Sequence, residues 1–187
     1  MELHPLTPAR YADLAALLGT TVVTTTCYCT WFLMLDPRRR EVWEAGESRA
    51  VFERFADDQG TPVGVLAYDD GTPVGWCAVG PRSAYPRLVK SKAWQDGDRD
   101  AWVVTCFYVR RSARRTGVTR TLLESAVELA GKHGAHAVEA VPRSTGTRTA
   151  PGDGYVGFEQ TFADCGFSVV ARPNEKRVLM RRPLPSG

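Results

Sequence analysis

Between Arg110 and Arg120 the chain carries five arginines and one glycine, three of the arginines in the run Arg114-Arg115-Thr116-Gly117-Val118-Thr119-Arg120. An apolar stretch, Ala101 to Val109, precedes it. Behind it Val118, Leu122, Ala126, Leu129 and Ala130 recur at helical spacing. A helix beginning near Gly117 leaves about four amide hydrogens without an internal partner, and its dipole adds partial positive charge there. Glycine lets a ligand approach the backbone closely, and forked guanidinium groups match phosphate oxygens. The run therefore reads as a pyrophosphate seat, against the plainer reading of a solvated basic helix start.

The chain has no G-x-x-x-x-G-K-[ST] run and no G-x-G-x-x-G after a strand, which excludes a P-loop ATPase and a dinucleotide-binding Rossmann unit. A phosphate seat without either points to coenzyme A. Only four of the 24 Lys and Arg residues are lysines, and the net charge of +3 is small for a general nucleic-acid binder. The five cysteines (Cys27, Cys29, Cys77, Cys106, Cys165) are odd in number and sit in apolar contexts, so free thiols are expected rather than a disulfide framework. Cys27-x-Cys29 lacks zinc-knuckle spacing, and His133 and His136 straddle a helix end, so no metal site is expected.

At 187 residues the length suits one domain, and 43% hydrophobic with 24% charged residues is globular composition. No apolar run approaches a membrane span and the N-terminus carries no secretory pattern, so a soluble, cytoplasmic protein is expected. Thr7-Pro8 opens a helix that Gly19 stops. Thr20 to Leu35, rich in threonine, valine and aromatics, reads as loop or strand. Another helix starts at Ser48, with Val51, Phe52, Phe55 and Ala56 inward, and ends at Gly60. Val63–Tyr68 and Pro73–Val79 flank Asp69-Asp70-Gly71 as a hairpin. Pro81 to Gly97 is an irregular connection. Ala101 to Val109 is a central strand, and His136 to Val141 is a second strand parallel to it across a short helical crossover. Asp153 caps a last helix in which Phe158, Phe162 and Cys165 share a face, and a hairpin over 167–180 closes the chain. The order is a mixed α/β (α+β) sheet with helices on both faces.

Arg114, Gly117 and Thr119 fall on the three specified positions of Q/R-x-x-G-x-G/A, the signature of the GNAT acyltransferase superfamily, with Thr119 departing from the small residue expected last. The following Leu122-Leu123 and the run Asp164-Cys165-Gly166-Phe167 also resemble that family, and the order of elements matches from about 62 to 182. The resemblance implies one N-acetyltransferase-like domain over 1–187. Its sheet would be mostly antiparallel, with one parallel pair splayed apart. Acetyl-CoA would be the acyl donor, an amine the acceptor, and attack would be direct, without an acyl-enzyme. Backbone groups of Phe107 and Val109 would pair with the pantetheine arm. Amides from Arg115 through Thr116, Gly117, Val118 and Thr119 to Arg120 would hold the pyrophosphate, and a backbone N–H near Val109 would face the thioester oxygen.

Where many members carry a tyrosine that protonates the leaving thiolate, this chain has Phe162, which donates no proton. Tyr155, Tyr108, Cys106 and Ser144 are the alternative donors. The strand from 101 to 109 carries no Glu, and Glu139 points either to the core or to the cleft. Cys27-Tyr28-Cys29-Thr30-Trp31, Cys29 and Trp31 above all, together with Trp76, form the candidate acceptor wall, although such residues are more often core. Two rival readings remain: a catalytically silent acyl-CoA-binding module, motivated by Phe162, and a nucleic-acid-binding domain using the arginines. A homodimer is the commonest homo-oligomeric outcome.

Overall fold

Asp70 and Gly71 both take positive φ, 47° and 70°, the geometry of a two-residue hairpin turn, and the strands on either side pair as expected. In the computed structural model, which describes residues 1–146 and 153–185, this hairpin supplies the second and third strands of a seven-stranded sheet. Its strands are β1 (Glu2–Pro5), β2 (Gly64–Asp69), β3 (Thr72–Pro81), β4 (Trp102–Val109), β5 (Ala137–Ala140), β6 (Ser168–Asn174) and β7 (Arg177–Pro183). They lie in the order β1-β2-β3-β4-β5-β7-β6, and only β4 and β5 run parallel.

Seven helices cover the sheet: α1 (Tyr11–Leu18), α2 (Val22–Cys27), α3 (Arg38–Glu44), α4 (Ser48–Asp58), α5 (Pro86–Val89), α6 (Val118–Lys132) and α7 (Glu159–Asp164), with short 3₁₀ turns between them. α6 and α7 bury Leu122, Leu123, Ala126 and Phe162 against one face of the sheet, together with Val65, Cys77, Val104 and Phe107. α1 and α4 bury Leu14, Leu17, Leu18 and Phe52 on the opposite face, against Leu66, Trp76 and Tyr108. The period-2 alternation of β2 and β3 is what makes two such cores available.

Three segments differ from their sequence expectations. Thr20 to Leu35 is helical: α2 and a 3₁₀ turn, Thr30–Phe32. The strand preference of threonine and valine amounts to a few tenths of a kcal/mol per residue. Here it is outweighed by hydroxyls that serve the helix ends. The Thr21 side chain accepts from the Thr24 amide at 3.2 Å, Thr24 donates to the Leu18 carbonyl, and Thr30 donates to the Cys27 carbonyl at 2.6 Å. α3, with Trp43, is an element the sequence reading did not identify. Finally, Asp153–Val156 is a separate 3₁₀ turn. Gly157 (φ 75°) breaks the chain before α7, so Phe158 precedes that helix and stays 42% exposed instead of facing inward.

Candidate functional site

The parallel pair joins only Trp102–Val104 to Val138–Ala140, so among the described residues the second half of β4 has no strand partner on that side. Beyond Ala140 the chain turns to other partners: Val178 donates to the Pro142 carbonyl, and Arg143 exchanges backbone bonds with Gly157 and Glu159. The gap that results is the splayed pair expected from the sequence.

β4 also carries a bulge. Ala78 pairs with Cys106 but Val79 pairs with Val104, leaving Thr105 as the extra residue. An uninterrupted strand would put Trp102, Val104, Cys106 and Tyr108 on one face. The bulge instead sends Trp102, Val104 and Phe107 toward α6, and Cys106 and Tyr108 toward α1 and α2.

At the open end of β4 the chain enters the arginine run. Arg115 (φ 66°) and Gly117 (φ 87°) bracket Thr116 in the left-handed region, turning the loop so that α6 begins at Val118. The first amide to find a carbonyl is Thr121, which donates to Gly117; among the described residues no protein acceptor takes the amides of 115 to 120. A Cβ built on Gly117 would meet no atom within 4 Å, so the space over this helix start is free of protein. Arg114 Nε donates to the Val109 carbonyl at 3.1 Å and Arg120 to the Asp164 carbonyl at 3.3 Å, each leaving further guanidinium donors. α6 is seated by Gly75 of β3, where a Cβ would come within 2.9 Å of Leu122 and Val118.

Three adjoining cavities lie along this path. The first, about 220 Å³, lies over the α6 start between Arg114, Arg115, Gly117, Val118, Thr119 and Arg120. The second, about 530 Å³, shares Arg114 and Thr119 with the first and follows Phe107, Tyr108 and Val109 to Tyr155. The third, about 350 Å³ and mostly apolar, shares Tyr108 and Tyr155 with the second and is walled by Cys27, Cys29, Trp31, Trp43, Thr105 and Cys106.

At the junction the Tyr155 ring stacks on Tyr108, 6.4 Å between centroids and 23° between planes. Thr20 donates to the Leu17 carbonyl at 2.9 Å, so the 2.5 Å contact between Tyr108 and Thr20 is a hydrogen bond given by the phenol. Tyr108 is thus committed as a donor. Burial, with the adjacent Tyr108, holds the Tyr155 pKa above the ordinary phenol value, so its hydroxyl stays protonated near neutrality. Burial likewise pushes the Cys27 thiol up to about 11. The Cys29 sulfur accepts from Trp76 Nε1–H at 3.2 Å and shares a hydrogen bond with Cys106; those bonds draw the Cys29 pKa down, while the bond to Cys29, then burial, raises that of Cys106.

The structure thus brings together Phe107, Val109, Arg114, Arg115, Gly117, Val118, Thr119 and Arg120 along one path, and Cys106, Tyr108, Tyr155, Cys29 and Trp31 at its apolar end. Thr116 lines neither cavity over the loop; its hydroxyl donates to the Ala113 carbonyl at 2.8 Å. Trp76 departs from its expected place in the acceptor wall. It has no exposed surface, packs edge-on to Phe52 and reaches the pocket only through Cys29. Phe162 is equally buried, against Phe107 and Phe167. Tyr155 does not share a helix with it, because Gly157 separates them.

Glu139 faces the core, not the cleft. Arg181 holds its carboxylate through two bonds of 2.6 and 2.8 Å, the Asp98 amide donates to it at 3.0 Å, and Arg82 lies 3.8 Å away. Ser144 is buried, its amide donating to the Lys176 carbonyl, and it lines none of the three cavities. Trp43, Thr105 and Arg177 were missed in the sequence. The first lies on α3, the second owes its orientation to the bulge, and the third arrives from β7 across the sheet.

No group of three or more His, Cys, Asp or Glu side chains able to hold a metal occurs among the described residues, and no helix there is long and apolar enough to cross a membrane. No curated protein matches the chain in sequence. In overall structure it is similar to a ribosomal-protein-alanine N-acetyltransferase from Brucella melitensis (19% identity, 98% of this chain and 100% of that one, TM-score 0.60). It is also similar to an N-acetyltransferase from Staphylococcus aureus (13%, 97% and 97%, 0.59). A third is a PaiA N-acetyltransferase from Thermoplasma acidophilum solved with coenzyme A (11%, 98% and 98%, 0.56). The family model of the GNAT acetyltransferases matches residues 29–150, well over half of the chain, and the protein belongs to that family.

Proposed function

We propose that residues 1–187 act as one acetyl-CoA-dependent N-acetyltransferase unit, moving an acetyl group to an amine that attacks the thioester directly. The observation that carries this is the succession of three adjoining cavities, with a phosphate-suited helix start at one end, an apolar pocket at the other, and Tyr155 where donor and acceptor would meet. The coenzyme A bound by the Thermoplasma neighbour supports the same donor.

The residues fit the donor. The amides of 115 to 120 and the arginine forks would take the pyrophosphate, and the space over Gly117 would be filled by it, where a side chain would intrude. Main-chain groups of Phe107 and Val109, on the stretch of β4 that β5 leaves, would pair with the pantetheine arm and meet the negative charge gathering on the thioester oxygen. Tyr155 would give its proton to the departing thiolate, the part Phe162 cannot play from the core. A silent binding module is the weaker reading, because that hydroxyl is present at the junction.

The test is calorimetric titration of coenzyme A into the wild type and an Arg115→Ala/Gly117→Ala double variant. Loss of at least tenfold in affinity is expected; unchanged affinity would overturn the assignment of the donor site.

A further inference from the structure

Resting on the acetyltransfer reading, we infer that the acceptor is a small aromatic amine whose nitrogen is uncharged at neutral pH, an arylamine, bound in the apolar pocket beyond Tyr108 and Tyr155. Among the described side chains that line this pocket there is no aspartate, glutamate or histidine. Its ionisable members are Cys27, Cys29, Cys106, Tyr108, Tyr155 and Arg177. The first five are neutral acids in their protonated form, and the last is a cation.

An alkylamine with a pKa near 10 is free base to only about one part in a thousand at pH 7. Its ammonium form would enter an apolar wall with no carboxylate to pair with, and no side chain there is a ready base to strip its proton. Cys29 is the one lining group drawn toward ionisation, and its sulfur is already held by the Trp76 indole N–H and the Cys106 thiol.

Aromatic faces can hold a cation in place of a carboxylate. Here the rings of Trp31 and Trp43 are taken, and Tyr108 and Tyr155 stack on each other. The Arg39 guanidinium lies between Trp31 and Trp43, 4.2 and 4.4 Å from the ring centroids, and Arg87 lies 4.4 Å from that of Trp31. Asp36, the acid that both guanidinium groups reach, is paired with Arg39 at 2.6 Å and with Arg87 at 3.7 Å. An approaching ammonium therefore meets guanidinium groups where an aromatic cage would offer open rings. A neutral aromatic ring meets none of these penalties. The cavity of about 350 Å³ is at the small end for ligand pockets, which suits one or two rings.

The chemistry closes without a protein base. The neutral nitrogen lone pair forms the C–N bond, and the C–S bond breaks with its electrons going to sulfur. The proton lost by nitrogen replaces the one Tyr155 delivers to the thiolate, leaving an anilide and the free thiol.

The test compares aniline and 4-methoxyaniline with benzylamine and an alanine-initiated peptide at saturating acetyl-CoA, following acetylated product by mass spectrometry, with acetyl-CoA binding measured separately. The anilines should exceed benzylamine at least tenfold in kcat/KM at pH 7 and vary little from pH 7 to 9, while benzylamine rises steeply as its free base grows. Val23→Glu places a carboxylate at the exposed rim of the pocket on α2 and should move the ratio at least tenfold toward benzylamine, with the melting temperature checking its fold. Retained acetyl-CoA binding with benzylamine or the peptide preferred at pH 7 overturns the acceptor class alone, whereas retained binding with no amine acetylated overturns the acceptor class and favours the silent binding module. Absence of acetyl-CoA binding overturns the acetyltransfer reading and the acceptor class with it.

Discussion

A phenol donates to a thiolate only while it keeps its own proton, and burial beside a second ring favours that state for Tyr155. Because the shift is upward, the protonated form persists through neutrality and is lost only above the ordinary phenol value near 10. Tyr155→Phe should lower kcat about 100-fold, the lower range for general acid catalysis, and leave coenzyme A affinity within about twofold. The wild-type kcat for an arylamine should show no fall between pH 7 and 9. Stopped assays across that range check both, and a loss below about threefold would assign the proton to water instead. At this scale the sequence reading had Tyr155, Tyr108 and Cys106 as candidates without a way to rank them. The ranking comes from one hydrogen bond, which commits the Tyr108 proton to Thr20, and one stacking contact.

At the scale of elements, the position of α6 depends on the missing side chain at Gly75. Val118 and Leu122 occupy the space a Cβ would need, so the first turn of the helix lies directly on β3. Gly75→Val should overpack this contact at a cost of about 1–3 kcal/mol, lowering the melting temperature by roughly 2–10 °C. It should weaken coenzyme A binding as well, because the amides at 115 to 120 move with the helix. A destabilising change on the opposite face, Phe52→Leu, should lower the melting temperature and leave that affinity unchanged. Equal effects on affinity would mean that general loosening, not helix placement, controls the site. The start of α6 was legible in the sequence because Gly117 and the apolar repeat are local signals. α2 was not, since threonine and valine favour strands locally and the hydroxyl bonds of Thr21 and Thr24 that reverse this preference exist only once the turns at its start have formed.

Across the whole molecule, the proposed donor site draws on β4, the loop to α6 and the turn carrying Tyr155, so ligand binding should stabilise the fold as a unit. Acetyl-CoA at about 100 times its dissociation constant adds about 2.7 kcal/mol. For a chain of this length that raises the midpoint by roughly 5–10 °C. Thermal melts with acetyl-CoA, and with ATP and free acetate as controls, check this. A shift with acetyl-CoA that ATP does not reproduce is expected, because ATP has no pantetheine arm to fill the middle cavity. The pair of buried Glu139 with Arg181 belongs to this scale too: it ties β5, the strand beside the gap, to β7, which is why a carboxylate that alternation left open to either face is structural.

Taken alone, the sequence determined what local interactions determine: the hairpin at Asp70-Gly71, the strand–loop–helix around Gly117, the parallel strand after it, and through these the family. Tertiary structure decided which way the side chains of β4 point. A single extra residue, Thr105, reverses the alternation, and nothing in the run Val104-Thr105-Cys106-Phe107 distinguishes a bulged strand from a regular one. It also decided the apolar pocket proposed for the acceptor, which assembles side chains from α1, α2, α3, β4, the Tyr155 turn and β7. Such a wall has no period in sequence, because its members are neighbours only after the sheet has formed and both faces have packed.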